Sequence, residues 1–198
     1  NQPPGGRSVP LVGRQLSRRP GHVAAQRIFR PVELWVRPQT HIRDYALATD
    51  RSDDMKSAMF RAKVSVRNQS KKKAKDLQVI VNLTGEDAGG TSFTSTTATS
   101  LAAIKPLAEV QVELSDLLKD PCLWSAEKPY LYKVNIMLRD KNGVLESFDY
   151  HWGVRKIEIE GDIFKVNGKP IKLKGVNRHD YHPRTGFYVD PQTMEKDI

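Results

Sequence analysis

The chain holds a single cysteine, Cys122, among its 198 residues. No internal disulfide is available, so the fold must stand without oxidation and the redox compartment is left open. Apolar runs stay far short of the ~20 residues that a membrane helix needs, and no apolar stretch follows the basic N-terminus. No membrane span or signal peptide is visible in these residues, and the expectation is a soluble protein, with the cytoplasm slightly favoured. Helical periodicity is missing as well. Between residues 28 and 175 no apolar stripe repeats every 3.6 residues for long enough to make a major helix, which excludes an α-helical core. Metal-ligand spacing is equally scarce: His179 and His182 form one i, i+3 pair, too little for a site. The glycosylation-type triplets Asn68-Gln-Ser and Asn82-Leu-Thr are short enough to arise by chance and carry no weight.

Acids are absent from the first 30 residues, which hold six arginines (Arg7, Arg14, Arg18, Arg19, Arg27 and Arg30). Six of the net +9 thus belong to the tail, leaving +3 for the other 168 residues. Residues 1–27, rich in Pro, Gly, Arg and Ser, have no period of two or of 3.6 and read as a basic, disordered arm. Nucleic-acid binding would want aromatics among the cations, and the arm has none before Phe29, so a solvated leader is the simpler reading.

What the chain has in quantity is alternation. Val32-Glu-Leu-Trp-Val36 alternates up to Pro38, and His41 to Leu47 resumes the pattern with Ile42 inward. Phe60, Ala62, Val64 and Val66 point one way while Arg61, Lys63, Ser65 and Arg67 point the other, as in a sheet with one wet face. Lys71-Lys-Lys-Ala-Lys75 then reads as a solvated loop. Leu77, Val79, Val81 and Leu83 form the next inward row. The Thr-rich segment 91–100 around Phe93 suits a short edge strand. Val110, Val112 and Leu114 share a side, Leu117 to Pro129 is irregular, and Tyr130, Tyr132, Val134, Ile136 and Leu138 make the longest row. Asp140-Lys-Asn-Gly143 turns the chain into a return strand bearing Phe148, Tyr150 and Trp152. Turn signals about every ten residues predict a two-sheet antiparallel sandwich of ~100 residues. The aromatic rows could serve as a carbohydrate-stacking platform, but their period of two among aliphatics favours core packing. Trp35 and Trp124 are left as candidates for sealing the sandwich against a neighbour.

The organising stretch comes last. Ile163, Phe164 and Val166 lead into Asn167-Gly168, a turn dipeptide that tolerates positive φ, and Pro170 to Leu173 leads out. Gly175-Val176 is followed by Asn177, Arg178, His179, Asp180, Tyr181 and His182, six hydrogen-bonding or ionisable residues closed by Pro183. Polar groups gathered at a strand's mouth are where barrel enzymes keep their sites, so Leu173 to Asn177 is read as a buried first barrel strand and Arg178 to Pro183 as its loop. Asp190-Pro191 reads as the N-cap and first position of a helix.

Four blocks resemble, in order and spacing, glycoside hydrolase family 2: Ile28-Phe-Arg-Pro-Val-Glu-Leu-Trp35, Leu123-Trp-Ser-Ala-Glu-Lys-Pro-Tyr-Leu-Tyr132, Trp152-Gly-Val-Arg155 and Gly175-Val-Asn-Arg-His179. His179-Asp-Tyr-His-Pro183 with Thr185-Gly186 looks most like the β-galactosidase branch. The resemblance implies an immunoglobulin-like β-sandwich over 28–155 and the entrance of a (β/α)₈ catalytic domain over 156–198, a mainly β chain ending in a β-ribbon and the first strand of an incomplete TIM barrel. Before Ile28 the residues depart from that family's pattern, and the face a preceding domain would cover is expected around Trp35. The resemblance also implies a retaining hydrolase of terminal β-galactosides, with this portion as an interdomain module. His179 matches the histidine lining the sugar subsite, where an imidazole can hydrogen-bond a hydroxyl. Arg178 and Asp180 are expected to pair and fix the loop, while Asn177 is either a support or a turn residue.

Retaining hydrolysis needs two carboxyl groups ~5 to 5.5 Å apart. Family members take both glutamates from late barrel strands, and the acids after the ribbon here are Asp180, Asp190, Glu195 and Asp197, the last three assigned to capping and solvation. No catalytic residue and no cofactor are therefore expected in this chain, and the magnesium that β-galactosidases hold would take its ligands beyond residue 198. Partners implied are a β-galactoside and other domains of a parent enzyme. Two alternatives stay open: a sandwich that binds carbohydrate by itself, and an anion- or nucleic-acid-binding arm.

Overall fold

The alternating rows become two packed sheets in the computed structural model, which describes residues 32–52 and 56–197. The arginine arm expected at 1–27 lies outside these residues. The described chain divides into two units, one of residues 37–172 and one of residues 32–36 with 173–197.

In the first unit seven strands follow one another: β1 (Thr40–Arg51), β2 (Ser57–Asn68), β3 (Leu77–Glu86), β4 (Ser92–Leu101), β5 (Glu109–Lys119), β6 (Tyr132–Asp140) and β7 (Gly143–Trp152). They form sheets of order β1-β2-β5 and β4-β3-β6-β7, every neighbouring pair antiparallel. The edge position expected for the Thr-rich segment is the one β4 takes, beside β3 and not across the sandwich beside β5. The register carries the rows inward. Phe60, Ala62, Val64 and Val66 on β2, with Leu77, Val79, Val81 and Leu83 on β3 and Val134, Ile136 and Leu138 on β6, are each no more than 3% exposed. Burying each larger side chain of such a row contributes about 1.5–3 kcal/mol, which makes the alternation the main source of stability.

The aromatic rows are core. Tyr130, Tyr150 and Trp152 pack against the buried cluster, and Tyr132 and Phe148 lie inside it. Tyr45 meets Phe148 at 6.0 Å and Tyr150 edge-on at 6.2 Å. The Tyr132 hydroxyl accepts from the Cys122 amide at 2.7 Å and donates to the Glu86 carbonyl at 3.0 Å. A tyrosine at the start of a strand reaching back to upstream backbone is the corner device of immunoglobulin-like domains. Polar ties also cross between the sheets: the Trp152 indole donates to Thr49 at 2.8 Å, and the Glu146 carboxylate takes the Ile42 amide and the Arg37 guanidinium, each at 2.8 Å.

A three-stranded ribbon closes this unit: β8 (Ile157–Glu160), β9 (Ile163–Val166) and β10 (Lys169–Pro170). The turn between β9 and β10 has φ of 52° at Asn167 and 76° at Gly168, the two positive angles that Asn-Gly supplies. Asn167 does more than turn. Its Oδ1 accepts from the Lys156 amide and from Arg51 Nη1, both at 3.0 Å, and its Nδ2 donates to the Trp124 carbonyl at 2.9 Å. Trp124 in turn lies under the Arg155 guanidinium, 4.5 Å from ring centre to charge. Trp124 thus seals the ribbon to the sandwich within one unit.

Three expectations meet a different outcome. Val32 to Val36 forms no strand and is exposed: alternation alone does not make a strand without a ladder partner, and none is present among the described residues. In the second unit Leu173 to Asn177 is likewise unpaired and exposed, with Leu173 at 80% and Val176 at 94%. A parallel barrel strand is buried only by its neighbours in the closed sheet, and no such neighbour is described here. Ser65, expected on the wet face, is buried beside Gln111, whose amide donates to it. Among the described residues no helix is long and apolar enough to cross a membrane.

Candidate functional site

The candidate site lies in the second unit, between Gly175 and α1 (Pro191–Lys196). Arg178 is its organiser. Its Nε reaches Asp180 Oδ1 at 3.2 Å and its Nη2 reaches Asp197 Oδ2 at 2.7 Å, so one guanidinium fork ties the loop to the end of α1. The pairing with Asp180 is the one the sequence suggested; the pairing with Asp197 gives that acid a task beyond solvation. All three side chains are well exposed, so each pair contributes little stability and acts mainly as a clip on geometry.

The helix that receives this clip starts as Asp190-Pro191 dictates. Asp190 is the N-cap, its carboxylate accepting from the Thr193 amide at 2.9 Å and the Thr193 hydroxyl at 3.0 Å, with proline in the first turn. The Thr193 amide bond holds the Asp190 carboxyl below its ordinary range, with the Thr193 hydroxyl adding to the effect. Between loop and helix the chain makes its own turn. His182 and Gly186 exchange backbone bonds at 2.8 and 2.9 Å, Gly186 has φ of 70°, and the Thr185 hydroxyl donates to the Tyr188 carbonyl. His182 Nδ1 accepts from the Arg184 and Thr185 amides at 3.2 and 3.4 Å, which fixes its proton on Nε2 while it stays neutral. Tyr181 packs edge-on against Phe187 at 5.9 Å. These contacts commit Tyr181 and His182 to the turn.

His179 is left available. It stands exposed between the two members of the Arg178–Asp180 pair, and among the described residues its imidazole has no hydrogen-bond partner. Asn177 is exposed and its side chain bonds nothing among the described residues, so it does not act as a backbone-satisfying turn residue here. The acids are largely spoken for: Asp180 and Asp197 by Arg178, Asp190 by the helix cap, leaving Glu195 exposed on α1. No group of three or more His, Cys, Asp or Glu among the described residues is placed to hold a metal ion. The loop can therefore donate or accept hydrogen bonds to a ligand, and presents no pair of free carboxylates for acid and base work. Asn167 and Asp197 were missed as positioning groups in the sequence; only the hairpin dipeptide and the helix signal marked their neighbourhoods.

Comparison with known proteins divides the chain ahead of the ribbon, where the contacts of the fold divide it after the ribbon. Residues 40–155 match the family model described as glycosyl hydrolases family 2, and residues 157–198 match that family's TIM barrel domain. The chain is 39% identical over 175 residues to a beta-galactosidase of Oenococcus oeni and 34% identical over 178 residues to one of Pectobacterium atrosepticum. Each alignment covers 86% of this chain and 16% of the relative, so the chain spans about a sixth of their length. Its fold superposes on a beta-glucuronidase of Bacteroides uniformis with a TM-score of 0.70 at 24% identity, covering 86% of this chain and 21% of that one.

Proposed function

The chain belongs to glycosyl hydrolases family 2, and from that premise we propose that it is the portion of a retaining β-galactosidase that carries the sandwich and the barrel entrance. Residues 28–155 form the scaffold, residues 156–198 begin the catalytic domain, and the loop at Asn177–Asp180 brings His179 to the sugar. The observation that carries this reading is the free imidazole of His179 held beside an Arg178 clip. An imidazole so placed can hydrogen-bond a sugar hydroxyl and stabilise the charge that develops as the glycosidic bond breaks. Support for the galactoside, over other glycosides, comes from the two curated relatives and from the His179-Asp-Tyr-His-Pro183 block. The two carboxyl groups that cleavage needs come from elsewhere in the enzyme, because Asp180, Asp190 and Asp197 are engaged in the clip and the cap and Glu195 stands alone on α1, without a second free carboxylate beside it. In this reading Arg178, Asp180 and Asp197 are positioning residues, acting on His179 and not on substrate. Asn177 supports the loop's sugar-facing side.

Turnover of nitrophenyl β-galactoside and nitrophenyl β-glucuronide by the enzyme that contains this segment tests the proposal. A preference of at least tenfold in kcat/KM for the galactoside is expected. Preference for the glucuronide, or hydrolysis of the galactoside by the 198-residue chain alone, would overturn it.

A further inference from the structure

One end of the sandwich is more cationic than the Lys71–Lys75 run by itself implies. The Asn68 side chain is fully buried and donates to the carbonyls of Lys72, Ile104 and Lys105, which draws the 69–76 loop and the 102–108 turn together. Gln78 is in register with Arg139 on one side and Ser100 on the other, so the β6–β7 hairpin arrives at the same place. Between them opens a groove of about 600 Å³ lined by Lys75, Asp76, Gln78, Ser100, Arg139 and Lys141, among others. Lys71, Lys72, Lys73 and Lys105 stand exposed around the same end. Elsewhere in this unit several cations are matched, as with Arg37–Glu146, Arg43–Glu109 and Arg61–Asp50. At this end none of the seven has an ion pair among the described residues.

We propose that this groove binds an acidic oligosaccharide, its carboxylate or sulfate groups meeting Lys75, Arg139 and Lys141 while its hydroxyls meet Gln78, Ser100 and the two aspartates. The mixed lining is what separates this ligand from nucleic acid. Asp76 and Asp140 accept from sugar hydroxyls, which a phosphate backbone lacks, and no aromatic side chain lines the groove to stack a base. Asp140 is also fixed in place, accepting from the Asn142 and Gly143 amides at 2.8 and 3.1 Å. The groove opens at the Asp140–Gly143 end of β7, whereas the ribbon leaves from the Trp152 end, about 30 Å away at 3.3 Å per residue. Every residue lining it belongs to the first unit, whereas His179 belongs to the second, so the proposal does not depend on that loop's function.

Titration calorimetry of the 198-residue chain with trigalacturonic acid, β-1,4-galactotriose and hexathymidylate decides the matter. The acidic trisaccharide is expected to bind, to lose about tenfold in affinity between 50 and 200 mM salt, and to lose at least tenfold in a Lys75→Ala/Arg139→Ala/Lys141→Ala variant whose circular dichroism is unchanged. The neutral trisaccharide should give no heat. The arginine arm is common to both chains, so the difference between them reports the groove. Should the triple variant misfold, Lys71→Gln/Lys72→Gln/Lys73→Gln on the solvated loop is expected to weaken binding at least threefold. No heat with trigalacturonic acid, equal affinity in a folded variant, or tighter binding of hexathymidylate would overturn the proposal.

Discussion

Replacing Asn167 probes how the ribbon is fastened to the sandwich. Three side-chain hydrogen bonds converge on it, from the Lys156 amide and Arg51 Nη1 and to the Trp124 carbonyl. Arg51 is 8% exposed, and its Nε and Nη2 have no hydrogen-bond partner among the described residues. Burial lowers the pKa of that guanidinium, with Glu158 pulling the opposite way. Losing a bond to such a group costs more than losing a neutral one. At about 1 kcal/mol for each neutral bond and ~2 for the charged one, removal of the amide costs about 4 kcal/mol. Alanine adds ~1 kcal/mol because φ at this position is 52°. The Asn167→Ala variant is thus expected to lose about 5 kcal/mol, Asn167→Gly about 4, and Asn167→Asp about 1, since aspartate keeps both acceptor bonds and offers Arg51 a carboxylate. For a chain of this size, 1 kcal/mol shifts Tm by about 2–4 °C. Urea unfolding followed by circular dichroism and by tryptophan fluorescence separates loss of the junction, where Trp124 sits, from loss of the whole sandwich. Equal losses for the alanine and aspartate variants, or a loss below about 1 kcal/mol in both probes for alanine, would refute this reasoning.

Other consequences are simpler to test. Tyr132→Phe strands the Cys122 amide and the Glu86 carbonyl and should cost about 2–4 kcal/mol by urea unfolding. Burial raises the Tyr132 pKa above its usual 10.0. The folded state therefore holds this proton more tightly than the unfolded chain, so its contribution is intact below pH 10 and fades as pH rises beyond; the Phe variant should show a shallower alkaline decline. Gly85→Ala would place a Cβ 2.3 Å from the Tyr132 ring, and should lower Tm by several degrees while Gly89→Ala, which meets only one Asp87 carboxylate oxygen at 3.3 Å in an exposed turn, should lower it far less. Asp190→Ala should fray the first turn of α1, seen as loss of helical chemical shifts at Thr193 and Met194 with the sandwich resonances unmoved.

The period-two rows were legible because each reports a local fact, which face of a strand is wet. Phe60 to Val66 and Leu77 to Leu83 needed no partner to be recognised, and Asn167-Gly168 and Asp190-Pro191 name their turn and cap through their own backbone preferences. The failures share a cause. Val32 to Val36 and Leu173 to Asn177 alternate or are apolar just as well, but a strand exists only where something pairs with it, and pairing is not local. Nothing in the Asn68-Gln-Ser triplet marked Asn68 as core, yet it is fully buried with its amide bonded to three carbonyls, a role that depends on residues 36 and 37 positions away. In the loop, the Arg178–Asp180 pair was readable from spacing. The Arg178–Asp197 pair was not, since α1 has to fold before Asp197 comes within reach.

The central claim is that His179 touches the sugar in a cavity which this segment enters without supplying its carboxylates. Its most direct test is kcat/KM for nitrophenyl β-galactoside in the enzyme containing this segment, compared with its His179→Ala variant. A loss of about a hundredfold or more with unchanged Tm is predicted, the scale on which a lost transition-state hydrogen-bond donor is felt. Activity within twofold of the parent would contradict it.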